Sequence, residues 1–458
     1  MTDLEAIRNH VESNRTRFVE KVKEACSIPS VSAEGQGLAE MASWLDSELK
    51  SLGAVVTRLT VEGAADAILG EVSGSGDRSL LVYDHYDVQP VDPLDLWESP
   101  PFEPNERDGR IYVRGIADNK GDLVARLCAL ESYREVVGDL PFTTKFLIEG
   151  EEEIGSVNFD TICNENAGAL SAQDCVWEGA GFDLQGRPNI YFGCKGLLYV
   201  ELRRRMLTGD QHSSLAVIIP SAAWELLRAV DSLKDEKGRI AIEGFYDRVV
   251  GLGPKERELV ERLPTDEQAQ RLEMLGIESY IDGLLGTELT EQALTRPTAN
   301  IAGFVTGYTV PGASKTVLPA EAMAKLDFRL VPDQTAADIA EKLKLHLSRN
   351  GFEQIEVLIL GDENPSRSPV DSDLATAVLE TTAEFFERPA SVWPWSLGTG
   401  PMYPIAQGLG IPITHPAGVG RPDSNIHAPN ESAPLQDFLD TIGYTTAYLA
   451  RYGEAGNG

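Results

Sequence analysis

An apolar run, Lys145-Phe146-Leu147-Ile148, leads straight into Glu149-Gly150-Glu151-Glu152-Glu153-Ile154-Gly155-Ser156. A run of that length between turn residues predicts a buried strand. Any fold of this chain must therefore deliver four carboxylates in five positions to the end of a sheet strand. Carboxylates this close repel one another and cannot all stay ionised without a cation. Taken alone, the stretch also reads as a solvated acidic loop. A second run, Ser79-Leu80-Leu81-Val82-Tyr83, is continuously apolar, the pattern of a strand buried on both faces of a parallel sheet.

Around these runs the periodicity alternates. Leu4, Ile7, Val11, Phe18, Val22 and Ala25 share a helical face over 4–25, and Met41, Trp44, Leu45 and Leu49 do so over 39–52, with Gly53 as a C-cap. Strands are predicted near 54–60, 66–72, 143–148 and 174–178, and helices over 120–137 and 158–168. That order predicts a doubly wound α/β layer with a mostly parallel sheet. From residue 197 the texture changes. Leu198, Val200 and Leu202 alternate with Tyr199, Glu201 and Arg203, and further strands are expected over 321–331 and 354–360. Helices are expected over 221–234 and over 335–349, with Ile339, Leu343 and Leu347 in line, while 234–295 is charged and irregular. Strands with one wet face plus two helices predict an α+β, ferredoxin-like domain over 197–361. It would be inserted into a catalytic domain made of 1–196 and 362–458, and the tail over 453–458 reads as frayed.

Composition narrows the partners. The 40 Lys and Arg stand against 72 Asp and Glu, a formal charge of −32, and such a field repels nucleic acid and anionic membranes. Five cysteines, an odd number with no Cys-x-x-Cys pair, suit reduced thiols in a cytosol. The start Met-Thr-Asp-Leu-Glu carries no apolar h-region and no transmembrane run follows, so a cytoplasmic location is expected.

Five sites carry chemistry. His85 and Asp87, at i and i+2 after the 79–83 run, share a side on an extended chain, so an imidazole could bind a metal while the carboxylate orients it. Asp118 precedes a helix, where it could be an ordinary N-cap or a carboxylate bridging two cations. The acidic stretch itself, Glu178 after Cys175-Val176-Trp177, and His427 in a polar loop before the last helix complete the set. His85, Glu152–Glu153 and Glu178 fall at the carboxyl ends of expected parallel strands, where open α/β sheets hold their ligands. Two imidazoles and three carboxylates match zinc's preference for nitrogen and oxygen donors. Two ions sharing one carboxylate would acidify a bridging water, and the leftover carboxylate of the acidic pair would move its proton to the leaving amine. His10 and His346, on amphipathic helices, read as structural; so does His415, the first of the three to reconsider.

The chain resembles metallopeptidase family 20 over nearly its whole length. It is most similar to the dipeptidase branch, through His-Tyr-Asp-Val-Gln-Pro at 85–90, Trp97-Glu98-Ser99-Pro100-Pro101-Phe102, Arg107-Asp108-Gly109-Arg110-Ile111-Tyr112 and Glu149-Gly150-x-Glu152-Glu153-x-Gly155-Ser156. The resemblance implies a dinuclear site. His85 and Glu178 would hold one metal, Glu153 and His427 the other, and Asp118 would bridge them through a cis peptide to Asn119. Asp87 would orient His85, and Glu152 would be the general acid/base acting with a metal-bridging hydroxide. The metals are expected to be zinc, with manganese or cobalt as alternatives. The inserted domain would be a lid and homodimerisation surface, with His212 reaching the partner's site and Arg329 binding the substrate carboxylate, helped by Gly398 and Thr399.

The family pattern is altered at Asp84, Ile116 and Asn119, in the run after His212, and over 397–402. The last two bear on the pocket. The expected activity is hydrolysis of dipeptides or similar small peptides with a free C-terminal carboxylate. An N-acyl amino acid deacylase or desuccinylase is the alternative with the same site, and a non-catalytic peptide-binding relative is the third reading.

Overall fold

The structure is a computed structural model that describes residues 3–455. Ser79–His85 is buried along nearly its whole length and pairs in parallel with Thr143–Glu149 on one side and Asp174–Val176 on the other. A continuously apolar strand requires that environment. The six-stranded sheet runs Val55–Leu59, Ala67–Val72, Thr143–Glu149, Ser79–His85, Asp174–Val176, Ile413–Thr414. Its first three strands are joined antiparallel and the remainder pair in parallel.

Side chains alternate across this sheet. Leu80 and Val82 enter one core with Phe18, Leu45, Leu127 and Phe438, whereas Leu81 and Tyr83 enter another with Phe159, Trp177 and Ile405. Helical layers on both faces make the sheet doubly wound. Helix Lys120–Val136 packs against the last helix, Leu435–Ala455, and Leu123, Val124, Leu127 and Leu130 are fully buried there. Each such side chain contributes roughly 1.5–3 kcal/mol. That packing anchors the helix whose N-terminus presents Asp118.

A second sheet, antiparallel, runs Asn300–Thr306, Glu321–Leu330, Gly196–Arg205, Glu356–Glu363. Leu198, Val200, Leu202, Leu326 and Phe328 line its dry face. Leu226 and Ala229 of helix Ala222–Asp231 and Ile339 and Leu343 of helix Ala336–Arg349 cover it. The Thr335 hydroxyl accepts from the Asp338 N–H and starts the second helix.

Four elements depart from the sequence reading. The amphipathic face over 4–25 belongs to two helices, Leu4–Ser13 and Arg15–Ser27, which meet at Asn14; its amide donates back to the His10 carbonyl at 2.9 Å. The charged stretch 234–295 contains helices Pro254–Arg262, Glu267–Leu275 and Gly286–Thr295. They are short, and from 252 to 294 only Leu252, Val260, Leu263 and Leu294 gather with Trp395 into a small separate core. Strand Asn300–Thr306 escapes a pattern search because it is a sheet edge exposed along most of its length. The last helix continues through Ala455, so the tail is ordered that far; residues 456–458 lie outside those described. All five cysteines are free and buried. Among the described residues no helix is long and apolar enough to cross a membrane.

Candidate active site

The parallel strands end at the site. His85 closes its strand opposite Glu149, so the acidic stretch begins beside the imidazole. The chain then turns at Gly150, where a Cβ would stand 2.3 Å from the Tyr86 ring. The four carboxylates now part. Glu149 accepts from the Tyr83 hydroxyl (2.6 Å) and the Ser156 hydroxyl (3.0 Å). Glu151 accepts from the Ala65 N–H (3.1 Å) and the Asn158 amide (2.8 Å). Glu152 and Glu153, on a single 3-10 turn, are left for the site. The Asp87 carboxylate caps that turn, accepting from the N–H groups of Glu152 (3.2 Å) and Glu153 (3.0 Å), while its Oδ1 stands 3.4 Å from His85 Nδ1. Asp87 thus orients both the first imidazole and the acidic turn.

Glu178 follows strand Asp174–Val176, and its Oε1 accepts from the Trp177 indole at 2.9 Å; that ring is stacked on Tyr83 with centroids 3.7 Å apart. Asp118 precedes helix Lys120–Val136 across a cis Asp118–Asn119 peptide. His427 arrives on a loop, itself at φ +63°.

These five side chains meet. Asp118 Oδ1 lies 3.0 Å from His85 Nε2, and its Oδ2 lies 3.0 Å from His427 Nε2. Glu178 Oε2 stands 3.4 Å from His85 Nε2, and Glu153 Oε2 stands 3.2 Å from His427 Nε2. One carboxylate therefore sits between two His–Glu pairs. Donor atoms of Asp118, Glu153 and His427 lie within 4.8 Å of one another. The Gln89 amide donates to Glu153 Oε2 at 2.9 Å and to its carbonyl at 3.0 Å. The Glu152 carboxylate, half-buried, makes no hydrogen bond to any described residue.

The electrostatics are those of a site built for cations. Burial opposes the charged form of Asp118, but hydrogen bonds to His427 and His85 overcome it and hold its carboxyl well below the usual range. His427 is pushed up to about 10 by its bonds to Asp118 and Glu153. Burial raises Glu178 to about 7, against the pull of His85. Burial also raises Glu152, with Glu178, Asp118 and Glu153 repelling its charge. Among the described residues no Lys or Arg pairs with Asp118, Glu152, Glu153 or Glu178, and the buried Oε2 of Glu178 accepts no hydrogen bond. Nitrogen and oxygen donors with uncompensated negative charge fit divalent metal ions.

The remaining candidates stand apart. Arg329, near the end of strand Glu321–Leu330, donates to the Thr399 hydroxyl, and the Gly398 carbonyl accepts from the Lys195 N–H at 2.9 Å. Those three form a second cluster with no polar contact to the first among the described residues. His212 joins neither; it is exposed and bonds Ser214, Nδ1 to Oγ, at 2.8 Å. His10 and His346 stay on their helices; His415 lies just after Ile413–Thr414 against Tyr191, and burial lowers it to about 3, a neutral imidazole.

Sequence reasoning missed Gln89 and the network beneath Asn119. Asp84 is fully buried, and its Oδ1 accepts from the Asn119 amide (3.0 Å) and from Arg126 (2.5 Å). The altered residues at 84 and 119 are thus bonded to each other. The presence of Gln89 inside the 85–90 motif was the available signal for its role; no local pattern marks Arg126.

Comparison with known proteins agrees with this geometry. The profile of peptidase family M20/M25/M40 matches residues 81–451. A Cys-Gly metallodipeptidase of Candida albicans is 26% identical over 487 residues, 99% of this chain and 98% of its own length. A cysteinylglycine-S-conjugate dipeptidase of Corynebacterium striatum is 29% identical over 459 residues, 96% of each chain. Among solved structures, an M20 family metallo-carboxypeptidase from Sulfolobus solfataricus superposes with a TM-score of 0.89 at 39% identity, over 95% of this chain and 99% of that one. Human carnosine dipeptidase 1 shares the fold, with a TM-score of 0.78 at 24% identity over 99% of this chain and all of its own, 100%. The chain belongs to peptidase family M20/M25/M40 and is a metallopeptidase.

Proposed function

We propose that the chain hydrolyses the amide bond of dipeptides or similar small peptides that carry a free C-terminal carboxylate, using two divalent metal ions. The observation that carries this reading is Asp118, whose two oxygens each stand 3.0 Å from a different histidine. His85 and Glu178 would hold one ion, Glu153 and His427 the other, and Asp118 both. Zinc suits this donor set, with manganese and cobalt as alternatives. When bound, the pair of ions acidifies a water and polarises the scissile carbonyl.

The protein's own groups do the rest. The unpartnered Glu152 takes the proton from the attacking water as the new C–O bond forms, then returns it to the leaving nitrogen as the C–N bond breaks. Asp87 keeps His85 and the Glu152–Glu153 turn in register. Arg329, with Thr399 and the Gly398 backbone, would pair with the substrate carboxylate, a task a guanidinium performs bidentately.

The domain division at 1–196, 197–361 and 362–458, the role of the middle part as lid, and the homodimer belong to the same proposal. In it, His212 of the partner subunit would complete the site. Its exposure supports this, as do the apolar residues exposed on the same domain: Val217, Ile218, Trp224, Ile301 and Val305. Five reduced, buried cysteines support a cytoplasmic location. The Sulfolobus relative favours a second reading, removal of the C-terminal residue from longer peptides.

A panel of dipeptides, longer peptides, and N-acetyl and N-succinyl amino acids, run with metal analysis of the purified protein, tests the proposal. Turnover of dipeptides with two bound ions is expected. Turnover of acyl amino acids alone would overturn the dipeptidase reading, and turnover of longer peptides alone would favour the carboxypeptidase.

A further inference from the structure

Arg114 and Glu431 are 1% and 0% exposed, and neither belongs to the set assigned above. Their ion pair closes at 2.8 Å between Nη1 and Oε2. Such a pair is weak evidence for stability, because desolvating two charges offsets most of their attraction. Its purpose is legible in its other bonds. Glu431 Oε2 also accepts from the Gly115 N–H (2.9 Å), and Oε1 accepts from the N–H groups of Ala117 (2.8 Å) and Asp118 (3.2 Å). The Glu431 carbonyl accepts from the Val113 N–H at 3.1 Å. Arg114 Nη2 donates onward to the Pro90 carbonyl at 3.0 Å. One buried pair therefore joins three segments: 85–90, which carries His85 and Asp87; 113–118, which ends in Asp118; and the loop in which His427 stands four positions before Glu431.

Asp118 needs such a support. Its oxygens must reach imidazoles that lie 33 and 309 residues away in sequence, and a small backbone displacement would disturb both approaches together. Among the described residues the segment from Val113 to Asp118 belongs to no strand, and apart from its bonds to Glu431 its backbone is tied to the rest of the chain through the Arg114 N–H, which donates to the Pro101 carbonyl at 2.8 Å. We infer that Glu431, held by Arg114, is a positioning residue that sets the backbone of Asp118 between His85 and His427 and thereby governs the affinity of both metal sites at once. This rests on the metal-site reading above.

The test separates positioning from plain stabilisation. Zinc alone is titrated, against a competing chelator, into the metal-stripped full chain of wild type, Glu431→Gln, Glu431→Asp and Glu256→Gln. Thermal melts and far-UV spectra are taken on the same samples. Glu256 is the control: a 7% exposed carboxylate that holds Arg367 through two 2.6 Å bonds and touches no residue of the cluster. Wild type is expected to take two equivalents. Glu431→Gln, which turns an amide N–H₂ toward Arg114 or the backbone donors, is expected to bind both ions about 10–100-fold more weakly, while Glu256→Gln loses stability and keeps its affinity. If the Gln variant does not fold, Glu431→Asp, charged but one methylene shorter, carries the test with the same expected loss. Wild-type affinity in whichever variant folds, or an equal loss in Glu256→Gln, overturns the inference. Failure of the wild type to bind zinc would instead overturn the metal-site reading.

Discussion

Glu152→Gln tests the chemistry with least disturbance to the site. The Glu152 carboxylate bonds to no described residue; its backbone is held, the N–H by Asp87 Oδ1 at 3.2 Å and the carbonyl by the Gly155 N–H at 2.9 Å. Glutamine keeps the shape and cannot take a proton. Loss of a positioned general base costs about 10²–10⁴-fold in rate, which is about 2.7–5.4 kcal/mol of barrier at 1.36 kcal/mol per tenfold. The five proposed ligands are untouched, so two ions should remain bound. The substitution has a second consequence in the metal-stripped protein. There burial raises the Glu152 pKa, with Glu178, Asp118 and Glu153 adding to the rise. A carboxyl whose folded pKa is raised opposes folding once the pH exceeds its unfolded value, because the unfolded chain ionises it freely. The stripped variant should therefore melt above stripped wild type at neutral pH. Steady-state kinetics on a dipeptide, metal content by mass spectrometry and thermal melts of stripped protein read the three outcomes. A kcat within tenfold of wild type with both ions retained would refute the assigned role. Loss of an ion would show that Glu152 is a ligand rather than the base.

Three further outcomes follow from the geometry. Arg329→Lys should lower kcat/KM about 10–100-fold, since hydrogen bonds to charged groups contribute about 1.5–3 kcal/mol and lysine cannot form the bidentate pair. A substrate with its C-terminus amidated should show no such difference, and a uniform loss on both would refute carboxylate binding. Gly150→Ala should lower stability by about 1–3 kcal/mol, because its Cβ would stand 2.3 Å from the buried Tyr86 ring; an unchanged melting temperature would show that the turn can move. Asp122, packed against Gly179 and Gly418, is raised from 3.8 to about 7, chiefly by burial. The folded protein then holds a proton that the unfolded chain has released, so this group's contribution to stability falls as pH rises from about 4 to about 7. Asp122→Asn should flatten that slope in urea unfolding of stripped protein, and an unchanged slope would refute it.

The architecture was legible where burial is two-sided or strictly one-sided. Ser79–His85 reads as a parallel strand because both faces are dry, and Gly196–Arg205 reads as antiparallel because Leu198, Val200 and Leu202 are fully dry while Tyr199 and Arg203 are not, although Glu201 is also buried. Elements that bury little leave little pattern. Strand Asn300–Thr306 exposes nearly every residue, and helix Glu267–Leu275 has none buried. Asn14 divides an amphipathic face that stays in phase on both sides of the break, so periodicity alone could not detect it.

The site was legible as residue types at strand ends, but the division of labour within it was not. Four glutamates between 149 and 153 are equivalent in sequence. Two serve structure only because Tyr83, Ser156, Ala65 and Asn158 claim their oxygens, and two of those partners, Tyr83 and Ala65, lie 66 and 86 residues away in sequence. Glu152 and Glu153 remain for chemistry because Asp87 takes their backbone N–H groups and leaves their carboxylates unclaimed by the main chain. Between those two, Glu153 is drawn to His427 and Gln89 while Glu152 is not. A ligand and a base are thus distinguished by what each carboxylate is prevented from doing, and that follows from contacts with distant segments rather than from the acidic stretch: Gln89 lies 64 residues before Glu153, and His427 comes from the loop before the last helix. Long-range placement of this kind also explains why Glu431, spelled out plainly in the His427 loop, shows its bearing on Asp118 only once the two loops are folded together.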